Sequence, residues 1–400
     1  MNFKELAKKY GTPLYLYDFN HIQDRFLELK EAFKGKKSLV CYAVKANSNL
    51  SIIKHLSTLE AGADCVSIGE VKRALLCGIP KYKIIFSGVG KRDDEISEAL
   101  KEDILMINLE SEGELDRVEA IAKQMQTKAR ISIRVNPNID PKTHPYISTG
   151  LSHNKFGVDI EVAKRMYIRA KNSENLDPIG VHFHIGSQLT ELEPIIESSQ
   201  IVSDLVRSLK ALKIDIKFFD IGGGIGIRYS HENTIDVKSY VDGIFSTLKG
   251  LDVTVVCEPG RFIVGNSGFF LTKVLYEKTN GDKRFVIVDG AMNDLIRPSL
   301  YKAHHDIKLL SDELNHSKAD IVGPVCESGD FFAKNIDFPK TTHDDLIVVH
   351  SAGAYGSSMA SNYNTRGKVA EVGVLNGEDF LIRKRDSFED MIKNELECLG

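Results

Sequence analysis

Short apolar runs rich in β-branched residues recur along the chain between residues 38 and 260. Charged segments with helical spacing separate them, so that strand and helix signals alternate. The eight runs are SLVCYAV, ADCVSI, KIIFSG, DILMIN, ARISIRVN, PIGVHFHI, DIKFFDIG and VTVVCEPG. Strand–helix units repeated eight times predict an α/β fold, a (β/α)8 TIM-like barrel at residues 25–262 with its helices outside. An open doubly wound sheet is the alternative, but so many units in series disfavour it.

Two helix starts are visible in the charged segments. Asn49 follows the first run and can cap a helix. The inner face of that helix would consist of Ile52, Ile53, Leu56 and Leu59. Ser111 and Glu114 follow the fourth run at the spacing of a capping box, which predicts a second helix start there.

The pattern changes after Gly260. Apolar stretches such as RFVIVDGAM and DLIVVHSAGAYG are interrupted by Gly, Asn and Asp, and few segments have helical spacing. This composition predicts a second, mostly antiparallel β domain at residues 263–400. The alternating segment TPLYLYD lies before the barrel, so residues 1–24 are expected to add a strand to the second domain.

Composition and charge narrow the functional classes. The chain has 400 residues, 42% of them hydrophobic, a net charge of -4 and no basic block, so neither nucleic-acid nor membrane-surface binding is supported. No apolar run reaches the ~18 residues of a membrane span, and the charged start MNFKELAKKYGTP is unlike a signal peptide. The six cysteines are scattered without a CxxC pair. We therefore expect a reducing, cytoplasmic location and no metal site.

Polar and glycine residues lie at the carboxyl ends of at least five predicted strands, where barrel enzymes build their sites. These ends carry Lys45, Arg134, the segment HFHIGSQ at 182–188, the glycines 222–224, and Glu258-Pro259-Gly260-Arg261. Each feature alone has an ordinary explanation: a solvated lysine, a core histidine, a turn or a strand-end acid. Their convergence on one face of a barrel is what predicts a site.

The chemistry of the converging groups indicates a cofactor. A desolvated lysine has a lowered pKa and suits Schiff-base chemistry. The glycine run does not match GxGxxG, but bare amides after the seventh and eighth strands lie where barrels often bind phosphate. An amine, a phosphate cradle, a flat imidazole and a carboxylate together indicate pyridoxal 5′-phosphate.

The motifs resemble those of the barrel-type pyridoxal-phosphate decarboxylases, an alanine-racemase-like family of fold type III, over nearly the whole chain. They occur in the family's order as YAVKAN (42–47), HFHIGSQ (182–188), GGG (222–224), EPGR (258–261), GPVCESGD (323–330) and GAYGSSMASNYN (353–364). Three further segments resemble the members that act on meso-2,6-diaminopimelate. They are RVNPNIDPKTHPYISTGLSHNKFG (134–157), MNDLIRPSLY (292–301) and CES (326–328).

The resemblance implies site residues. Lys45 would carry the cofactor, His184 would stack on its ring, and Glu258 would pair with the pyridine nitrogen. The remaining cofactor-binding residues would be Ser187, Gly222, Gly223, Gly224, Gly260, Arg261 and Tyr355. The substrate-binding residues would be Arg261, Arg297, Tyr301, Glu327 and Tyr355. The catalytic residues would be Lys45, His184 and Cys326. Cys326 and Glu327 would reach the site from the partner subunit of a homodimer.

The resemblance also implies the reaction, and alternatives stay open. A small amino acid would lose CO2, and Glu258 favours decarboxylation because a racemase of this fold works better with an arginine at the ring nitrogen. Other decarboxylases of the family act on ornithine, arginine or carboxynorspermidine, and a non-catalytic cofactor carrier is a further alternative. Residues 144–155 are expected to close over the site.

Overall fold

The computed structural model describes residues 1–140 and 154–399. The chain divides into two compact units. The barrel unit comprises Gln23–Ile227 and Asn233–Phe262, and the sheet unit comprises Met1–Ile22, Arg228–Glu232 and Ile263–Gly400. Most of the expected loop at 144–155 lies outside the described residues.

The chain begins with helix α1 (Phe3–Tyr10) and strand β1 (Leu14–Asp18) of the sheet unit and then enters helix α2 (Phe19–Ala32). The barrel strands are β2 (Ser38–Ala43), β3 (Gly62–Cys65), β4 (Ile84–Phe86), β5 (Met106–Leu109), β6 (Ala129–Arg134), β7 (Leu176–His182), β8 (Phe218–Asp220) and β9 (Thr254–Cys257). All eight neighbour pairs are parallel, and β9 closes on β2. The predicted barrel is confirmed.

A helix follows each of the first seven barrel strands. They are α3 (Leu50–Thr58), α4 (Ile68–Leu76), α5 (Asp93–Glu102), α6 (Glu112–Gln124), α7 (Ile160–Asn172), α8 (Glu193–Ala211) and α9 (Val237–Thr247). Asn49 caps α3 as predicted, because its side chain accepts from the amide of Ser51 at 2.9 Å. Of the expected inner face, Ile52, Ile53 and Leu56 are buried.

The capping box predicted before α6 forms only in part. The Ser111 hydroxyl accepts from the amide of Glu114 at 3.1 Å. The Glu114 carboxylate does not complete the box, because it accepts from the amide of Glu110 at 2.7 Å and pairs with the buried Lys91 ammonium at 2.7 Å. The carboxylate thus bonds to the amide one residue before Ser111 and, with its other oxygen, to a distant lysine.

The barrel strands are fully buried along most of their length, which explains why they read as continuous apolar runs. One core cluster consists of Cys41, Ile85, Leu105, Met106, Ile179 and Val256. Burying a side chain of this size stabilises a fold by about 1.5–3 kcal/mol. Gly180 keeps this core tight, since a Cβ there would lie 2.8 Å from Met106 Sδ.

The barrel unit ends at Phe262, within the short helix α10 (Arg261–Val264), and the chain continues in the sheet unit. Its strands are β10 (Gly268–Asn280), β11 (Lys283–Val288), β12 (Ile307–Leu309), β13 (His316–Val322), β14 (Phe331–Pro339), β15 (Leu346–Val349), β16 (Ala370–Leu375) and β17 (Glu378–Arg383). Its helices after β11 are α11 (Arg297–Tyr301) and α12 (Phe388–Leu396). The main path runs β14-β13-β11-β10-β1-β16-β17, and only β1–β16 and β11–β13 are parallel. The sheet is therefore mostly antiparallel, as predicted.

Strand β1 comes from the TPLYLYD segment and lies inside this sheet. It pairs antiparallel with β10 and parallel with β16. Its alternate residues Leu14 and Leu16 enter an apolar cluster with Leu271, Val348 and Val372. The amino-terminal segment thus contributes a central strand to a sheet formed largely by the last third of the chain. None of the helices in the described residues has the length and apolar character needed to cross a membrane.

Candidate active site

Lys45 lies in the 3-10 turn Val44–Ala46 that follows strand β2, at the carboxyl end of the barrel. Its ammonium nitrogen lies 3.1 Å from Asp64 Oδ2, and Asp64 is fully buried at the end of β3. Burial and the nearby Glu258 charge raise the pKa of Asp64, while the Lys45 charge opposes this rise. The expectation of a desolvated amine was wrong, because 36% of the Lys45 side chain is exposed and an acid lies beside it.

His184 lies after β7 in a fixed orientation. The amide of Gly223 donates to His184 Nδ1 at 3.2 Å, so that nitrogen carries no proton. Burial and the Arg134 and Lys45 charges hold the pKa of His184 well below its usual value. The imidazole is therefore a neutral, flat ring, as a stacking role requires.

The three glycines after β8 permit close approaches that a side chain would block. Gly222 has φ +61°, and a Cβ there would lie 2.7 Å from His184 Nδ1. A Cβ on Gly223 would lie 2.1 Å from the Glu258 carbonyl oxygen. Gly224 has φ +107°, and a Cβ on it would lie 2.3 Å from the Gly186 carbonyl oxygen. The run is thus bare backbone at the barrel end, as a phosphate cradle needs.

Glu258 is a buried carboxylate at the end of β9. Burial alone would raise its pKa, but His182 and Lys45 outweigh burial and lower the pKa of Glu258 to about 2. His182 Nε2 lies 3.4 Å from Glu258 Oε2, and both side chains are buried. Among the described residues, no donor bonds to Glu258 Oε1.

Asp220 forms a carboxyl pair with Glu258. The two acids and His182 place one ligand atom each within 4.8 Å of one another. Burial and the Glu258 charge raise the pKa of Asp220 well above its usual value. Since Asp220 Oδ1 accepts from the Gly222 amide at 2.9 Å, we assign the shared proton to the other oxygen of Asp220, which donates it to Glu258. The pair then carries one negative charge, located on Glu258.

His182, Asp220 and Glu258 also have the side chains of a metal site. A metal would require both acids to be ionised, whereas a shared proton requires only one ionised acid. The absence of a metal therefore stays a prediction here. Replacing Asp220 by asparagine separates the two interpretations, because the amide can donate to Glu258 but cannot serve as an ionised metal ligand.

Ser187 and Arg261 contact each other at the barrel end. Arg261 is buried, and its Nε and Nη2 donate to the Ser187 hydroxyl at 3.3 and 3.1 Å. Gly260 packs against the lysine segment, since a Cβ there would lie 2.9 Å from the Cβ of Ala46. The structure thus groups the predicted barrel residues on the ends of β2, β7, β8 and β9.

The remaining predicted site residues belong to the sheet unit. Arg297 begins α11 and is buried, and Tyr301 ends the same helix and is half-buried. Tyr355 is half-buried and lies in a left-handed turn with φ +56°.

Cys326 and Glu327 lie exposed on a turn whose shape depends on one buried acid. Asp330 accepts from the amides of Val325 and Met292, both at 2.7 Å. The Cys326 amide donates to Asn364 Oδ1 at 3.2 Å. A rigid frame therefore presents both predicted side chains outward.

Besides His182 and Asp220, two further residues that support the barrel site escaped prediction. Asp64 was read as part of an ordinary strand, although an acid inside the buried run ADCVSI was a signal. Glu110 pairs with the buried Arg134 at 3.0 Å, and Arg134 donates to the His184 carbonyl oxygen at 3.2 Å. This ion pair fixes the backbone that carries the histidine.

The barrel residues fit pyridoxal phosphate. The unpaired Glu258 Oε1 is a buried ionised acceptor, which is costly unless a donor such as a protonated ring nitrogen reaches it. The neutral His184 ring, the Lys45 amine and the bare glycine turn supply the other contacts.

Comparisons with known proteins agree with this geometry. Residues 19–265 match the family model of the pyridoxal-dependent decarboxylase, pyridoxal binding domain. The chain is 59% identical to a diaminopimelate decarboxylase of Campylobacter jejuni over 100% of both chains, and 55% identical to one of Helicobacter pylori over 100% of this chain and 99% of the relative. It resembles the crystal structure of diaminopimelate decarboxylase from Helicobacter pylori complexed with L-lysine, with a TM-score of 0.97, 56% identity and full coverage of both chains.

Proposed function

The chain belongs to the pyridoxal-dependent decarboxylase family, and we propose that it converts meso-2,6-diaminopimelate to L-lysine and CO2 in the synthesis of lysine. Full-length likeness to diaminopimelate decarboxylases supports the substrate. The observation that carries the reaction type is the buried, ionised Glu258 with one oxygen left for a donor.

Pyridoxal phosphate, when bound, supplies an electron-withdrawing ring that accepts the electron pair left when a carboxylate departs as CO2. Lys45 would carry the cofactor through its side-chain nitrogen. His184 would cover one ring face, since its neutral imidazole is fixed by the Gly223 amide. The amides of Gly222–Gly224, with Ser187, Gly260, Arg261 and Tyr355, would bind the phosphate and its surroundings.

Glu258 would keep a proton on the ring nitrogen by charge pairing. An ionised Glu258 favours the protonated ring, and a proton held by Asp220 keeps the negative charge on Glu258. A racemase needs a weaker electron sink at this position. The Asp220–Glu258 pair therefore supports decarboxylation.

Substrate-binding residues follow from the family likeness and from charge. Arginine binds carboxylates through two parallel hydrogen bonds, so Arg261 and Arg297 would bind the carboxylate that is retained. Tyr301 and Tyr355 would assist them. Glu327 would bind a substrate amino group and Cys326 would lie near the departing carboxylate, both supplied by the partner subunit of a homodimer.

Three further proposals concern the location of the protein, its domains and its partners. We propose a cytoplasmic location, which the six free cysteines support. We propose that the barrel domain comprises residues 25–262 and that the β domain comprises residues 1–24 and 263–400. The partners would be a small amino acid and a second copy of the chain, with no nucleic acid or membrane.

The deciding assay measures CO2 release with added pyridoxal phosphate from four substrates: meso-diaminopimelate, ornithine, arginine and carboxynorspermidine. We expect meso-diaminopimelate to be preferred at least about a hundredfold in kcat/KM, because buried arginines reject substrates without the second carboxylate. Preference for another substrate would overturn the proposed substrate. Bound cofactor without CO2 release from any of the four would indicate a non-catalytic carrier.

Replacing the lysine tests the cofactor attachment. Lys45→Ala should remove the near-visible absorbance band of the bound cofactor, because no amine remains to carry it. Lys37→Ala is the matched control, since Lys37 is exposed and pairs only with Asp252 among the contacts seen. An unchanged band in Lys45→Ala would refute the assignment.

A further inference from the structure

A buried cluster in the sheet unit surrounds the Arg297 guanidinium. Arg297 Nη1 lies 2.9 Å from His305 Nε2, and both residues are buried. The Tyr229 ring covers one face of the guanidinium, 4.7 Å from ring centroid to Arg297 Cζ. The same ring meets His305 edge-on at 5.6 Å between centroids. Arg297 is thus held on one edge and on one face.

The hydrogen bonds fix the tautomer of His305. An arginine can only donate, so His305 Nε2 must be the acceptor and carries no proton. His305 Nδ1 lies 2.9 Å from the His350 carbonyl oxygen, which can only accept. His305 is therefore neutral with its proton on Nδ1, and its ring links the arginine to the backbone at the end of β15.

We propose that His305 is a positioning residue that sets the direction of the Arg297 guanidinium and so determines the affinity for a substrate carboxylate. The inference rests on the proposed function, which supplies the carboxylate that Arg297 binds. A guanidinium binds a carboxylate through two parallel hydrogen bonds, so a rotation of its plane weakens both bonds together. Tyr229 limits tilting of the plane, and His305 limits rotation within it.

Two amide variants separate this role from simple packing. Gln in place of histidine puts an oxygen near the Nε2 position and can accept from Arg297. Asn in its place reaches only the Nδ1 position and can donate to the His350 carbonyl. Gln also fills more of the His305 volume than Asn does, so a packing role would favour Gln for every ligand, whereas a positioning role favours Gln only for ligands that carry the carboxylate.

The experiment titrates the cofactor-loaded enzyme with L-lysine and with cadaverine, which is L-lysine without its carboxylate. Binding is followed by the absorbance of the bound cofactor, and unfolding in urea is measured beside it. We expect His305→Asn to bind L-lysine about tenfold more weakly and cadaverine unchanged, and His305→Gln to keep L-lysine affinity within about threefold. The KM for meso-diaminopimelate should rise about tenfold in His305→Asn with kcat changed less than about threefold.

The Arg297→Lys variant distinguishes a failure of the proposed carboxylate binding by Arg297 from a failure of the proposed role of His305. If it leaves L-lysine affinity unchanged, the carboxylate role of Arg297 fails and the His305 inference fails with it. If it weakens L-lysine binding while His305→Asn does not, only the His305 inference is overturned. Equal losses in His305→Gln and His305→Asn, or equal losses for L-lysine and cadaverine, would also overturn it. Should His305→Asn not fold, His305→Gln alone decides, since it must keep its L-lysine affinity.

Discussion

Replacing Asp220 tests whether a proton is shared with Glu258. On the assignment made above, Asp220 is the neutral member of the pair: it accepts from the Gly222 amide at 2.9 Å and donates to Glu258, and burial raises its pKa. Asp220→Asn preserves this pattern, because the amide oxygen accepts and the amide nitrogen donates. The Asn108 amide, 3.5 Å from Asp220, can turn over, since its other partner, the Ser87 hydroxyl, both donates and accepts. We expect Asp220→Asn to fold and to bind cofactor normally.

Asp220→Ala is the contrasting variant. It leaves the Gly222 amide and one Glu258 oxygen without their partners inside the barrel. Each unsatisfied buried group costs about 1–3 kcal/mol, so the free energy of unfolding should fall by about 2–6 kcal/mol. Urea unfolding of both variants and the parent, followed by circular dichroism, measures this difference.

The pH dependence gives a second, independent readout. The pKa of Asp220 is raised on folding, so the folded parent binds a proton that the unfolded chain has released above its ordinary value of about 3.9. The stability of the parent therefore falls as pH rises above that value, by up to about 1.4 kcal/mol per pH unit, until Asp220 ionises in the folded state. Asp220→Asn has no such proton, so its stability relative to the parent should grow with pH.

Two results would refute this reasoning. If Asp220→Asn is as unstable as Asp220→Ala, the carboxylate of Asp220 is needed in its ionised form, as a metal site would require. If the advantage of Asp220→Asn shrinks as pH rises, the proton does not reside on Asp220. Comparison at pH values well above the ordinary carboxyl pKa keeps the titration of Glu258 in the unfolded chain out of the difference.

Three further variants test the barrel. Gly223→Ala should lower the melting temperature and abolish cofactor binding, because its Cβ would lie 2.1 Å from a carbonyl oxygen. Gly90→Ala is the control, since open space surrounds Gly90, and it should change neither property. Equal effects of the two variants would contradict this expectation. Glu114→Gln should lower the free energy of unfolding by about 3–5 kcal/mol, since it leaves the Lys91 ammonium buried without its charge partner. A decrease below about 1 kcal/mol, measured by urea unfolding, would contradict this. The pKa of His184 is lowered on folding, so below about pH 6.5 the unfolded chain binds a proton that the folded protein does not. The parent should therefore lose stability relative to His184→Asn as the pH falls below that value. A difference in urea midpoint that stays constant with pH would contradict this.

The barrel could be predicted from sequence because its strands are buried on both faces. Such strands read as apolar runs, and eight runs alternating with helices leave few other folds. Strand ends were less predictable: DIKFFDIG forms only the short strand Phe218–Asp220. Residues 263 and 264 fall in the predicted β domain by composition, but they belong to helix Arg261–Val264, since a short apolar run does not distinguish a strand from a helix.

The positions of Lys45, His184 and Glu258 could also be predicted, because parallel strands of one barrel end on the same rim. The exposure, the contacts and the protonation of these side chains could not be predicted. The sequence argument expected a desolvated Lys45, yet an acid from the next strand lies beside it. The sequence also did not indicate that Glu258, at the end of β9, lies against His182 on β7. Contacts across a barrel depend on strand register, which hydrophobic pattern alone does not fix.

Three buried acids near the barrel end illustrate why protonation escapes sequence reasoning. Asp64, Asp220 and Glu258 all end strands, and all are excluded from water. Burial raises the pKa of each, but the His182 and Lys45 charges outweigh burial only at Glu258, so the pKa of Glu258 is lowered while those of Asp64 and Asp220 are raised. The charge that a ring nitrogen would meet is thus set by the whole group of acids together. A single motif such as EPGR indicates where the carboxylate is, and the surrounding acids decide that it is ionised.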